Sequence, residues 1–281
     1  MASPAIELRQ VNIEFGGNQL RRRSDRQQHT MLDSLPGKKW RKPVLQNINF
    51  KVEHGEVVVV MGPSGAGKSV LLKLMAGLMN PTSGSVLIEG NDWRTMQGSE
   101  RAQIALKTGM LFQKNALFDS MTAAENVAFP LSEVARVPMA EVEKTVAFYL
   151  EAVGLTAARD RYPDEISGGM QKRLGIARAL AMKPKIVFYD DPTAGLDPIT
   201  SRKIIQLIVD LHKDMKTTVV AVTNDVNRAF QMADRIAMAV GAELIDCGDA
   251  STTRASVDPR VQQFITGALT GPLTRPWVAR K

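Results

Sequence analysis

The chain has 281 residues and a formal net charge of +7; 44% of it is hydrophobic, 23% charged and only 5% aromatic. Those proportions exclude a disordered or fibrous chain and suit an α/β protein, and the length fits one large domain or one domain with an inserted lobe. No run approaches about eighteen uncharged apolar residues, and a single cysteine, Cys247, excludes an internal disulfide or a thiol metal cluster.

The N-terminus, MASPAIELRQ, lacks the charged-then-apolar layout of a secretory signal, and with the cysteine usage this leads to the expectation of a cytosolic protein. Ala5 to Phe15 alternates apolar and polar residues and predicts a strand. A basic segment at 17–43 interrupts it, with Arg21, Arg22, Arg23, Arg26, Lys38, Lys39, Arg41 and Lys42 against Asp25 and Asp33. A nucleic-acid binder would spread such charge over a face of its fold, so no nucleic-acid partner is expected. The local cluster reads either as an arm near phosphate head groups or an acidic partner, or as a solvated loop.

Strand pairing resumes at Val44 to Val52, and EVVVVM at 56–61 reads as a strand buried on both faces. An amphipathic helix follows from about Gly67 to Leu78, a turn at 81–84 and a strand at 85–89. From about 114 to 182 the pattern becomes a helical lobe, with capping-box spacing at Thr122 and Glu125 and helical periodicity over 139–153. Ile186 to Asp190 is a second buried strand, followed by a helix over about 198–214 and strands at 218–223, 235–240 and 243–246. Cys247 closes the apolar run ELIDC and reads as a buried structural thiol. A last helix near 257–266 leads into a tail to residue 281. Alternating strands and helices imply a mainly parallel sheet covered on both faces.

Residues 62–69 read Gly62-Pro63-Ser64-Gly65-Ala66-Gly67-Lys68-Ser69, the G-x-x-x-x-G-K-[ST] pattern of a P-loop, with Val70 adjoining it. Glycines let backbone N–H groups turn onto an anion, and the next helix aims its positive end at the same spot. Lys68 supplies a full charge for the outer phosphates and the Ser69 hydroxyl a ligand for Mg²⁺. A nucleoside triphosphate with Mg²⁺ is therefore expected here. A second phosphate-ready helix start lies at Ser167-Gly168-Gly169, where Ser167 is a good N-cap. The strand IVFYD then ends in Asp190 and Asp191. An acid at that point is how P-loop enzymes hold the metal opposite the phosphate loop, so Asp190 would orient Mg²⁺ and Asp191 would lie near the terminal phosphate.

In this order, the P-loop, Gln113, the SGG signature, the acidic strand end and Gly195-Leu196-Asp197 resemble ABC-type ATPases over nearly the whole chain. The resemblance implies a P-loop NTPase fold with an inserted helical lobe and an N-terminal antiparallel β subdomain. It also implies two chains paired head to tail, so that Ser167, Gly168 and Gly169 of one cap ATP on the other's P-loop. Gln113 would join the metal shell and link the site to an integral-membrane permease, Asp197 would lie at the dimer seam, and Phe15 would stack on adenine. Without the family, Phe15 reads as a core residue.

The runs LFQKNALFDSMT at 111–122 and ENVAFPL at 125–131 are similar to the ATPase subunits of Mla-type and related MCE lipid transporters; FITGALTGPLTRPW at the C-terminus is similar more loosely. That likeness implies phospholipid or related cargo, a peripheral place on the cytoplasmic face of the inner membrane, and a periplasmic MCE-domain protein and small cytosolic regulator as further partners. Read without the family, the same residues are lobe core and say nothing of cargo.

Two positions depart from the family pattern. Asp191 stands where Glu is usual, and Asn224, in Val222-Thr223-Asn224-Asp225, stands where the family has a switch histidine. Asp is one methylene shorter than Glu, retracting the carboxylate by on the order of 1 Å, a misplacement that costs roughly 10²-fold in rate. Losing a positioned base costs about 10²–10⁴-fold. The expectation is intact ATP binding with slow hydrolysis. That leaves two further readings beside the transport motor. One is an ATP-gated structural or regulatory subunit, and the other a soluble ABC protein acting on nucleic acid. The third lacks the second ATPase domain or long coiled coil that such proteins usually carry.

Overall fold

In the computed structural model, which describes residues 3–16 and 41–274, the N-terminal alternation becomes β1 (Ile6–Gly16), paired antiparallel with β2 (Arg41–Val52). The inward side chains Ile6, Leu8, Val11 and Ile13 meet Leu45, Ile48 and Val52 in one apolar cluster. β2 starts three residues before the expected Val44, because Arg41, Lys42 and Pro43 pair with Gly16, Phe15 and Glu14. The rest of the basic segment, at 17–40, lies outside the described residues, as does the end of the tail at 275–281.

β3 (Val57–Met61) is buried at every position, as its uninterrupted apolar run requires. It leads through the P-loop into α1 (Lys68–Met75), which stops short of the expected Leu78. Gly77, at φ 69°, turns the chain beneath the Trp93 ring, and a Cβ there would lie 2.7 Å from ring atoms. β4 (Ser83–Ile88) and β5 (Asn91–Asp92) complete a four-stranded antiparallel sheet in the order β2-β1-β4-β5. α2 (Gly98–Leu106) and β6 (Thr108–Leu111) were not legible as periodic segments. α2 buries no residue, and β6 is only four residues long.

The helical lobe consists of α3 (Ala123–Phe129), a π turn at 130–134, α4 (Met139–Ala152) and α5 (Gly168–Leu180). Then come β7 (Ile186–Asp190), α6 (Pro198–Met215), β8 (Thr218–Val222), α7 (Val226–Met232), β9 (Arg235–Val240), β10 (Glu243–Gly248), α8 (Ala250–Arg254) and α9 (Pro259–Thr266). The second sheet runs β10-β9-β3-β8-β7-β6, parallel throughout except for β10 on β9. α7 and α8, seven and five residues long, are too short to show a period. α9 starts at Pro259 rather than Val257, because Asp258 caps it and proline is accepted at the first helical position. Cys247 is buried, and burial pushes its thiol pKa up to about 11, as an inert structural thiol requires.

One guanidinium ties the two sheets together. Arg235 in β9 donates Nε to Glu56 at 2.6 Å and Nη1 to Asp246 of β10 at 2.8 Å. It also donates to the Lys51 carbonyl of β2 and lies 4.7 Å from the centre of the Phe50 ring. Replacing it with methionine, Arg235→Met, keeps the stem and deletes the charge-assisted bonds. Urea unfolding of that variant is expected to show a loss of about 2–3 kcal/mol. A loss below about 0.5 kcal/mol would show that the two sheets hold without the strut.

Candidate functional site

β3 delivers the chain into a turn that only glycine allows. Gly62 has φ 144°, and a Cβ there would lie 2.2 Å from the Ala239 carbonyl oxygen of β9. Gly67 precedes α1 in the left-handed region, φ 93°, and supplies no side-chain cap. The helices around it differ: Thr122, Ser167, Asp197, Asp225, Asp249 and Asp258 cap α3 and α5 to α9 with their own side chains. The first N–H groups of α1 are left free of any side-chain cap, which fits an anion in the loop.

Lys68 is 9% exposed, and its Nζ donates to the carbonyls of Gly62 and Pro63 at 2.7 and 2.9 Å, spanning the loop. Burial pushes its pKa down, against the pull of Asp191 and Asp190. Ser64 and Gly65 are exposed at the rim, while Pro63, Ala66, Ser69 and Val70 are half-buried.

The parallel register sets Val60 of β3 opposite Val222 of β8, and Val222 opposite Asp190 of β7. The three carboxyl ends are therefore level with the P-loop. Ser69 Oγ donates to Asp190 Oδ1 at 2.8 Å. One hydroxyl and one carboxylate beside a phosphate cradle are the share of a Mg²⁺ shell that a protein usually supplies, so the residues present fit that ion. Asp191 follows in the left-handed region, φ 49°, an uncommon conformation that Asp tolerates better than most residues. Its N–H donates to the Val222 carbonyl at 2.9 Å, and the Thr223 hydroxyl donates to its Oδ1 at 3.3 Å. Burial pushes the Asp191 carboxyl up; the Thr223 hydroxyl and Lys172 oppose that, Asp190 adds to it and Lys68 opposes it. Asn224 is exposed, with Nδ2 3.5 Å from Ser64 Oγ across the mouth of the loop.

The other sequence-predicted residues lie elsewhere. Ser167, Gly168 and Gly169 line a separate shallow cleft with Gly195, Leu196 and Asp197, and no P-loop residue reaches it. Ser167 Oγ accepts from Met170 N at 3.3 Å, and Asp197 caps α6 by accepting from Ile199 N and Thr200 N, both at 2.9 Å. The Thr200 bonds, chiefly, hold the Asp197 carboxyl below its ordinary range. Phe15 is half-buried against the β1–β2 core, and Gln113 is exposed at the end of β6.

Lys172 and Arg178 were missed. Lys172 Nζ donates to the Gln113 carbonyl at 2.5 Å, and Arg178 donates to the carbonyls of Asn115 and Ala116 at 2.8 and 2.7 Å. Asn115 and Ala116 both have positive φ, 61° and 53°, so Arg178 clamps a strained turn. The available signal was a lysine in the buried stripe of α5, four residues before Ile176.

With this geometry in view, the comparisons with known proteins agree. The family pattern described as "ABC transporter" matches residues 45–194. The chain belongs to the ABC transporter family. It is 37% identical over 230 residues to the Escherichia coli "Intermembrane phospholipid transport system ATP-binding protein MlaF", covering 82% of this chain and 86% of that one. It is 39% identical over 230 residues to the Mycobacterium leprae "Probable ribonucleotide transport ATP-binding protein mkl", covering 82% of this chain and 66% of that one. Among solved structures it resembles the ATP-binding cassette MJ0796, a dimer in a post-hydrolysis state bound to ADP and Pi. That match has a TM-score of 0.72 and 32% identity, and covers 85% of this chain and 96% of that one. As an ABC protein, this chain is an ATP-binding, ATP-hydrolysing subunit of a transport system.

In this ABC subunit the 118–122 loop is held by one buried side chain. Asn126 is fully buried; its Oδ1 accepts from Phe118 N at 2.9 Å, and its Nδ2 donates to the carbonyls of Phe118, Met121 and Thr122 at 3.0–3.1 Å. Asn126→Ala strips the Phe118 N–H and the Met121 carbonyl of this partner, while the Phe118 and Thr122 carbonyls keep main-chain donors, and it is expected to lower stability by about 2–3 kcal/mol in chemical denaturation. A loss under about 0.5 kcal/mol would show that water replaces the amide without cost.

Proposed function

We propose that two copies of this chain form the ATP-driven motor of a lipid-moving transporter, lying peripherally on the cytoplasmic face of the inner membrane beneath an integral-membrane permease. The observation that carries the dimer is the separation of two half-sites on one chain. The P-loop, with Lys68, Ser69, Asp190 and Asp191, forms one half, and the Ser167–Gly169 cleft forms the other. A head-to-tail pair brings each half onto a complementary one, with Asp197 beside the seam and Phe15 against adenine. The dimeric state of the structural relative supports the same arrangement.

ATP would lie with its phosphates on residues 62–70, and Ser69, Asp190 and the Gln113 side chain would hold Mg²⁺, which when bound would offset charge on the terminal phosphates. Lys68 exchanges its two carbonyl partners for phosphate oxygens. Asp191 orients the attacking water and accepts its proton, while Asn224 donates a neutral hydrogen bond to the terminal phosphate.

Phospholipid or a related hydrophobic molecule is the cargo favoured by the runs at 111–122 and 125–131 and by the name of the E. coli relative, although the mycobacterial relative's name gives ribonucleotides. An MCE-domain protein in the periplasm and a small cytosolic regulator complete the assembly. A second reading, an ATP-gated clamp with little turnover, draws on Asp191 and Asn224, the two positions that depart from the family pattern.

Steady-state Mg²⁺-ATP hydrolysis by the chain with its permease, beside Lys68→Ala, separates the two readings. The motor requires turnover that vanishes with Lys68→Ala and with EDTA; tight ATP binding without turnover above that blank would establish the clamp. Asp191→Glu is expected to raise kcat by about tenfold, recovering part of the roughly 10²-fold cost of a retracted carboxylate. An unchanged or lower kcat would mean that Asp191 is already well placed, or is not the base.

A further inference from the structure

We propose that Lys172, on the buried face of α5, is a positioning residue for ATP hydrolysis: it holds the main chain at Gln113 and adds a buried cation to the field of the Asp190–Asp191 pair. The proposal rests on reading Gln113 and Asp191 as parts of the hydrolytic site.

Lys172 is 3% exposed, more deeply buried than the P-loop lysine at 9%. A desolvated ammonium is costly unless it is bonded and faces negative charge. Here both conditions are met by the functional segment: Nζ donates to the Gln113 carbonyl at 2.5 Å, and the carboxylates that attract it are Asp191 and Asp190. Lys68 of the phosphate loop is drawn by the same two carboxylates. Asp191 therefore lies in the field of a cation from the phosphate loop and a cation from α5. A carboxylate in the field of two fixed cations needs less reorganisation when phosphate charge arrives.

The placement of Lys172 on α5 also matters. The helix begins at Ser167, whose cleft is the second half-site, and Lys172 sits five residues on from that cap. Further along, Arg178 clamps Asn115 and Ala116, and the Gly175 position meets the Leu111 side chain. α5 thus grips residues 111–116 at several points, and Lys172 is the one drawn by the acids as well. Any displacement of α5 acts on the Gln113 backbone and on the field at Asp191 together.

The test uses the full chain with its permease and compares Lys172→Met, Lys172→Gln, Lys172→Arg and Asp191→Asn. Lys172→Met and Lys172→Gln are expected to lower kcat about 10- to 100-fold while KM for Mg²⁺-ATP stays within about twofold, and Lys172→Arg to recover kcat to within about threefold. The rise in melting temperature on adding ATP is expected to be unchanged in all three. A wild-type kcat in Lys172→Gln would overturn the charge, and so the proposal. Parallel losses of kcat, ATP binding and melting temperature in all three variants would reduce Lys172 to a packing residue. If Lys172→Met does not fold, Lys172→Gln decides, since it keeps a donor for Gln113. Asp191→Asn separates the two levels of inference. If it abolishes turnover while Lys172→Met does not, only the role of Lys172 fails; if it leaves turnover intact, the reading of the site fails and the role of Lys172 fails with it.

Discussion

The parallel register of β3, β8 and β7 is the constraint on which the site depends. Val60 faces Val222 and Val222 faces Asp190, and the ladder continues one residue past the strand ends, through Thr223 N–H to the Val60 carbonyl and Asp191 N–H to the Val222 carbonyl. Strand residues alternate faces, so a slip of one residue would turn Asp190 to the opposite side of the sheet and break its bond from Ser69. The register is itself enforced by burial. All three strands are buried at every position, so a slip would move side chains out of close-packed places on both faces.

On that scaffold the polar groups are arranged by contrast. Most helices near the site close their own first turn with an Asp, Ser or Thr side chain, whereas α1 starts on a left-handed glycine and leaves its N–H groups to a ligand. Two buried cations, Lys68 and Lys172, are drawn by the same two carboxylates. Strain gathers in the same region, at Asp191, Asn115 and Ala116, each held by a hydrogen bond from a neighbouring element or its own strand ladder. Left-handed backbone at non-glycine residues persists only where the surroundings over-determine it.

The ABC family supplies the frame for the two departures at Asp191 and Asn224. Asp191 is tied to Thr223 and sits in a left-handed turn that a shorter side chain leaves retracted, and Asn224 reaches the rim of the P-loop at Ser64. The two positions are neighbours through Thr223, whose hydroxyl donates to Asp191 and whose Oγ accepts from Asp225 N.

Much of this was legible in the chain itself. The P-loop, the SGG segment and the acidic end of IVFYD are contiguous runs whose chemistry dictates their residue types, and the buried strands announce themselves as unbroken apolar sequence. The extent of α6 and α4 and the capping box at Thr122 and Glu125 also followed from local spacing, because helix period and capping are properties of neighbouring residues. Short or uniformly exposed elements, α2, β6, α7 and α8, carried no period to read. What only the tertiary structure decided are the contacts between distant segments: Arg235 joining the sheets, Lys172 beneath Gln113 and the acid pair, Arg178 on the strained turn, and the separation of the two half-sites. A sequence records which side chains are present and how often they recur. Which buried cation meets which carbonyl some 60 residues away is set by how helices and strands pack, and no local spacing encodes that.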